Sequence, residues 1–246
     1  MSCGFGTRAR IGHLYPSGGL CDYEIQLMAP DGVQFLTSRL PFRHSSPADD
    51  ASLLNDLEAP ASLVADARVD LIALNCTAAG VLAGATQINR RIEAATGIRA
   101  VTTIEAVLAA LHAVGAKRVA LLTPYLPEVV AAETGFLARQ GIDVVAEHAE
   151  SRATPFEQAM IFPTRWLELA GRMRGAPADA LLISCAGIQL ATQLEAIEKL
   201  LGRPEVTSNQ ACCGTVCASL ASRSGAQATA HCWLAISAAR RTVSRW

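Results

Sequence analysis

The stretch ALLISCAGIQL, residues 180–190, runs four apolar residues straight into Ser184, Cys185, Ala186 and Gly187. LIALNCTAAGVL, residues 71–82, has the same shape around Cys76. A short continuous apolar run reads as a strand buried on both faces. Small residues after it read as a loop where the backbone approaches something closely. Working outward, further strand-like runs are RIGHLY (10–15), VQFLTS (33–38), VDLIALN (69–75), RVALLT (118–123), IDVVAE (142–147) and DALLIS (179–184). Helical periodicity fills 49–66, 81–96, 103–114, 127–140, 164–174 and 190–201. Glycines at 97, 115, 141 and 202 stand where those helices should stop. Buried strands alternating with helices predict an α/β protein built on parallel sheets with helices on both faces.

The pattern occurs twice. RIGHLYP (10–16) is echoed 108 residues later by RVALLTP (118–124), and Cys76 by Cys185 after 109 residues. RAVTT (99–103) is echoed 105 residues later by PEVTS (204–208). Three landmarks in constant order predict two pseudo-symmetric α/β lobes. Residues 1–115 with 212–246 form the first and 116–211 the second. Each landmark falls at the carboxyl end of a strand just before a helix, the edge where open parallel sheets bind ligands. Facing lobes would bring Pro16, Cys76 and Thr102 opposite Pro124, Cys185 and Thr207. The bland alternative is two lobes that share only turn chemistry.

A chain of 246 residues with 51% apolar and 17% charged residues folds around a substantial core. Its net charge of −1 gives no field to recruit nucleic acid or an anionic membrane. No apolar run approaches the roughly 20 residues of a bilayer span, and the opening residues lack the apolar core of a signal peptide. A cytoplasmic protein is expected, with its eight cysteines reduced. Cys212, Cys213 and Cys217 in ACCGTVC, and Cys232 beside His231, show no recognised zinc-ligand spacing. They read as small hydrophobes on a packed helix face, and Cys3 and Cys21 carry no signal.

A thiol ahead of a helix N-terminus has its thiolate stabilised by the dipole and by unpaired amides. The same amides, after Thr77, Ala78, Ala186 and Gly187, can hold a carboxylate or a developing enolate oxygen. Ser17, Thr123, Tyr125, Thr207 and Ser208 add hydroxyl donors, while no lysine or arginine adjoins either cysteine. Two thiols across one cleft suit chemistry beside a carboxylate, one as base or nucleophile and the other as proton donor. Against this stands the plain reading of two inert core cysteines, which the duplication weakens.

With those motifs in this order, the chain resembles the aspartate/glutamate racemase superfamily, in its maleate isomerase and arylmalonate decarboxylase branch, over nearly its whole length. RIGHLYPSGG is similar to the opening strand and carboxylate-binding loop, NCTAAG and SCAGIQL to the two catalytic-cysteine segments, and LLTPYLPEV to the second-lobe loop with its substrate-binding tyrosine. VTSNQA (206–211) is similar to the stretch after the second site. Decarboxylases of this group have glycine at the first cysteine position, whereas maleate isomerases keep both cysteines, the loop tyrosine and a Ser-Asn-Gln-Ala stretch. The chain departs from the isomerases at Pro16-Ser17-Gly18-Gly19, where they carry an asparagine. It departs again in ESRATPFEQAMIFP (150–163), where Gln158 takes the place of an amide residue.

The resemblance implies a cofactor-independent, metal-free isomerase of a small carboxylate, acting on a cis-alkenedioate such as maleate as a homodimer. It implies catalytic roles for Cys76 and Cys185. Substrate binding falls to Ser17, Gly18, Gly19, Thr77, Ala78, Thr123, Tyr125, Ala186, Gly187 and Ser208. A racemase using the same two thiols, a decarboxylase of a substituted malonate needing Cys185 alone, and a non-catalytic carboxylate binder are the alternatives. His13 reads as a hydrogen-bonded core or cleft-wall residue, and His44, His112 and His148 as surface or helix residues. PFRHSSPADD (41–50) reads as a loop before a helix capped by an acidic residue. Met160, Ile161, Phe162 and Trp166 read as core or dimer contact, and ARRTVSRW (239–246) as a solvated helix end.

Overall fold

The structure is a computed structural model describing residues 4–221. Cys3, His231, Cys232 and the 239–246 stretch lie outside the described residues. The first lobe carries β1 (Ala9–Pro16), β2 (Val33–Leu40), β3 (Leu71–Leu74) and β4 (Ala100–Thr102), all parallel, in the order β2-β1-β3-β4. The second carries β5 (Arg118–Thr123), β6 (Asp143–Ala149), β7 (Ala180–Ile183) and β8 (Glu205–Thr207) in the order β6-β5-β7-β8. The repeat expected from the landmarks is therefore a repeat of topology. β3 and β7 hold the same inner position, and each is buried at every residue. That is why both read as unbroken apolar runs, whereas the edge strand β6 alternates.

Helices follow the strands: α1 (Glu24–Leu27), α2 (Pro47–Ser52), α3 (Glu58–Ala65), α4 (Thr77–Ala83), α5 (Ala85–Thr96), α6 (Thr103–Ala113), α7 (Pro127–Arg139), α8 (Pro155–Ala159), α9 (Pro163–Arg172), α10 (Leu194–Leu201) and α11 (Ser208–Ala221). Gly97, Gly115, Gly141 and Gly202 all have φ between 61° and 76°, as helix stops require. One apolar cluster runs through both lobes, from Ile11 and Leu71 through Ile104 and Val107 to Leu121 and Val206, and a second, around Leu14, Leu54 and Ile88, lies in the first lobe. α11 packs along α6, with Cys212 and Cys213 fully buried there as expected of small hydrophobes.

Several elements differ from expectation. The helix expected over 49–66 is two, α2 and α3, because Leu53, Leu54 and Leu57 turn into the core between them. α2 is preceded by Ser46 rather than by an acidic cap: Ser46 Oγ accepts the Asp49 amide at 3.2 Å and donates to its carboxylate at 2.5 Å. The helix expected over 81–96 begins earlier, at Thr77, and breaks at Gly84, where φ is 84°. β4 and β8 are three residues each, too short to stand out as apolar runs. α8 is announced by a capping box, Thr154 with Glu157, that the periodicity hides. α11 is buried on most sides and so lacks an amphipathic stripe. His44 and His112 are exposed, but His148 lies in β6, bonded to Glu150 at 3.1 Å. Trp166 and Ile161 are core, whereas Met160 and Phe162 are exposed.

α4, which follows Cys76, lies so close to α6 that a Cβ at Gly80 would stand 2.6 Å from Ile104 Cγ2. Glycine to alanine inside a helix ordinarily stabilises by about 1 kcal/mol. Here overpacking, at about 1–3 kcal/mol, reverses the sign. Gly80→Ala is expected to lower the urea midpoint. Gly135→Ala in α7, where the new Cβ would meet only Arg139 Nη1 at 3.5 Å, is expected to raise it.

Candidate active site

Cys76 follows β3 and Asn75 and occupies the N-cap of α4 in extended conformation (φ −145°, ψ 108°). Its side chain makes no capping bond to the α4 amides. Cys185 follows β7 and Ser184, but no helix begins there: α10 starts only at Leu194. The helix-dipole argument therefore fails for the second cysteine. A single amide replaces it, since Gly187 N–H donates to Cys185 Sγ at 3.1 Å. On its other side the thiol lies 3.7 Å from Gln158 Oε1, an acceptor for the S–H hydrogen.

Both cysteines line one small cavity between the lobes. Thr77, Ala78, Tyr125, Ala186 and Gly187 share its wall, as expected, with Pro16 and Gln158. Tyr15, Phe42, Ser45, Asn75 and Pro155 line it too. Among the described residues, no lysine, arginine, histidine, aspartate or glutamate lines it. Tyr125 is buried, and its hydroxyl bonds Cys185. Burial first, then the neighbouring Cys185, Glu133 and Cys76, hold this phenol well above its ordinary pKa and hence protonated.

Five expected binding residues are not on the wall. Ser17 Oγ accepts the Phe42 amide at 3.0 Å, and the amides of Ser17, Gly18 and Gly19 are taken by Leu40, Phe42 and Pro16 carbonyls. The two glycines serve close packing: a Cβ on Gly18 would stand 2.6 Å from Phe42 O, and one on Gly19 2.7 Å from the Tyr15 hydroxyl. Thr123 Oγ1 accepts the Tyr125 amide at 3.4 Å. Ser208 Oγ accepts the Cys185 amide at 3.0 Å and bonds Thr77 Oγ1 at 2.8 Å, tying the two cysteine loops together from behind. Of the strand-end landmarks, Thr102 instead caps α6 with Glu105, Thr207 accepts the Gln210 amide, and Pro124 lies off the wall.

A second tie was not legible in the sequence. Asn75 Nδ2 donates to Asn209 Oδ1 at 2.7 Å and lies 3.0 Å from His13 Nε2; Asn209 Nδ2 donates to Ala186 O at 3.1 Å. His13 Nε2 must therefore accept, which leaves its Nδ1–H for Thr37 Oγ1 at 3.0 Å. Burial lowers the His13 pKa to about 4, so it stays neutral as this chain of bonds requires. Glu24, buried after β1, accepts the amides of Leu190 and Ala191 and pins the loop beyond Cys185 to the first lobe. The only hint of these roles was polarity itself, as at Asn75, which closes an apolar strand.

The family model for arylmalonate decarboxylase matches residues 12–233. A maleate isomerase from Pseudomonas putida is 24% identical over 216 residues, covering 81% of this chain and 86% of that protein. An arylmalonate decarboxylase from Bordetella bronchiseptica is 31% identical over 119 residues, 48% of this chain and 50% of that one. Among solved structures, a maleate cis-trans isomerase variant from Nocardia farcinica with a covalently bound succinylcysteine intermediate superposes with a TM-score of 0.79 at 22% identity. It covers 86% of this chain and 92% of that one.

Behind Cys185, Ser184 Oγ bonds the Glu133 carboxyl, whose Oε2 has no hydrogen-bond partner among the described residues. Burial pushes Glu133 up to about 7, against the bond from Ser184. The unfolded chain releases this proton near pH 4.5, and the native one only near 7. Native stability therefore falls as pH rises through that window, by up to about 3 kcal/mol. Glu133→Gln, uncharged throughout, is expected to gain stability relative to wild type between pH 4 and pH 8 in urea titrations. A constant difference would mean that Glu133 ionises normally.

Proposed function

The chain belongs to the arylmalonate decarboxylase family, and from that premise we propose that it is a cofactor-independent cis-trans isomerase of a small carboxylate of the maleate type. The observation that carries this reading is the presence of both cysteines on the wall of one cavity. We assign to Cys76 the attack: its thiolate adds to one carbon of the double bond, and the electron pair passes to the neighbouring carbon and its carboxylate as an enediolate. Rotation about the new single bond and expulsion of the thiolate give the trans product, with no net gain or loss of a proton. Addition followed by protonation would give a succinylcysteine, the adduct named for the Nocardia farcinica enzyme.

Cys185, with Gln158 accepting from its thiol and Gly187 donating to its sulfur, is assigned the proton held beside the enediolate. Tyr125, protonated by virtue of its burial, donates to a carboxylate oxygen. The backbone amides of Thr77, Ala78 and Ala186 supply further donors; such neutral, fixed donors stabilise charge that develops during reaction without reorganising. Ser17, Thr123 and Ser208 support the site through hydrogen bonds within the protein, and Gly18 and Gly19 through close packing, rather than through the substrate.

One observation favours a second reading. Pro16, Phe42 and Pro155 give the wall an apolar side that a substituted malonate would fill, so decarboxylation with Cys185 as proton donor is the alternative. Proton NMR of maleate and substituted malonates in deuterium oxide separates the two. Isomerisation produces the trans alkene without deuterium, whereas decarboxylation places one deuterium on the α-carbon. Under the leading reading, Cys76→Ser and Cys185→Ser each lower turnover by about 10²–10⁴-fold. Retained turnover in both would remove the cysteines from the mechanism, and loss in Cys185→Ser alone would select the decarboxylase.

A further inference from the structure

Tyr15 is the penultimate residue of β1 and is almost wholly buried, yet it forms part of the cavity wall. Its ring is fixed on several sides. His13 lies at 5.5 Å between ring centroids, the Arg39 guanidinium stands over the ring at 5.9 Å, and Cys21 and Ala159 pack against it. Gly19 approaches so closely that an added Cβ would meet both the hydroxyl and Cε1 within 2.8 Å. The hydroxyl oxygen accepts the Cys21 amide at 3.1 Å. Its hydrogen has no protein acceptor among the described residues.

The hydroxyl sits at the Cys185 end of the cavity, since a Cβ on Gly187 would lie 3.8 Å from it and 3.4 Å from Cys185 Sγ. This end is short of backbone donors, because the Gly187 amide is already spent on the sulfur. The Cys76 end keeps the amides that open α4. The Ser17-Gly18-Gly19 loop cannot compensate, as its amides close on the protein itself. A buried hydroxyl hydrogen with no acceptor is costly unless a ligand takes it.

We propose that Tyr15 determines specificity by donating its hydroxyl hydrogen to an oxygen on the second arm of the substrate, at the Cys185 end of the cavity. Burial, aided by the neighbouring thiols, raises the phenol's pKa and keeps that hydrogen in place. The substrate must then carry an oxygen acceptor at both ends, as a dicarboxylate does, and a simple hydrocarbon arm is disfavoured. This rests on the reading of the cavity as a site for small carboxylates.

Succinate and butyrate differ only at the second arm, and their dissociation constants can be measured by calorimetry. Wild type is expected to bind succinate at least about tenfold more tightly than butyrate. In Tyr15→Phe the preference falls to within about threefold with butyrate binding nearly unchanged, while the thermal midpoint drops by a few degrees because the Cys21 amide loses its acceptor. Gly19→Ala, which crowds the hydroxyl from the opposite side, serves if Tyr15→Phe folds poorly and is expected to reduce the preference in the same direction. A merely structural role would weaken both ligands alike and would overturn the assignment, as would an undiminished preference in the variants. If wild type binds neither acid, the carboxylate reading of the cavity falls, and the assignment of Tyr15 falls with it.

Discussion

The side-chain amide of Asn75 is the joint on which the arrangement of the two thiols depends. It sits one residue before Cys76 and bonds Asn209, which in turn bonds the carbonyl one residue after Cys185. Alongside it, Thr77 and Ser208 run a parallel connection to the Cys185 amide. The side chains on either side of Cys76, Asn75 and Thr77, thus reach the Cys185 loop through Asn209 and Ser208. These bonds lie in a dry interior, where breaking one strands a polar group without water. The two lobes could slide over a purely apolar interface with little penalty; the amide and hydroxyl chain gives them one register.

That register explains the division of labour between residue types at the cleft. Small residues allow close approach, as at Gly19 beneath Tyr15 and Gly80 on Ile104, while the groups that face the cavity are neutral donors and two thiols. The acidic residues near the site stand behind it. Glu24 anchors the loop beyond Cys185 through two amides, and Glu133 supports Ser184. Neither is among the residues lining the cavity.

Much of this was readable from the chain. The apolar runs LIAL and ALLI are fully buried inner strands, the doubled landmarks mark a doubled topology, and Cys76, Cys185 and Tyr125 converge as their positions implied. What the sequence hid was of two kinds. Elements too short to show a period, such as β4, β8 and α8, leave only capping residues as a trace. Roles that depend on which polar partner lies across the interface, as for Asn75, Asn209 and Glu24, have no local signature beyond polarity itself. The loop at Ser17-Gly18-Gly19 shows the converse error. Its composition resembles a ligand cradle, but its amides are used in closing the loop on β2.

Among the described residues no lysine, arginine, histidine, aspartate or glutamate lines the cavity, which bears on how a dissolved anion is selected. A pocket lined by lysine or arginine attracts any anion at long range, phosphate and chloride included, and loses that attraction as ionic strength rises. Here recognition begins only at contact, through dipoles whose directions are fixed by β3, β7 and the turns after them. Inorganic ions of the wrong shape gain little from such a surface. Capture should accordingly be slow relative to steered encounters, yet nearly indifferent to salt.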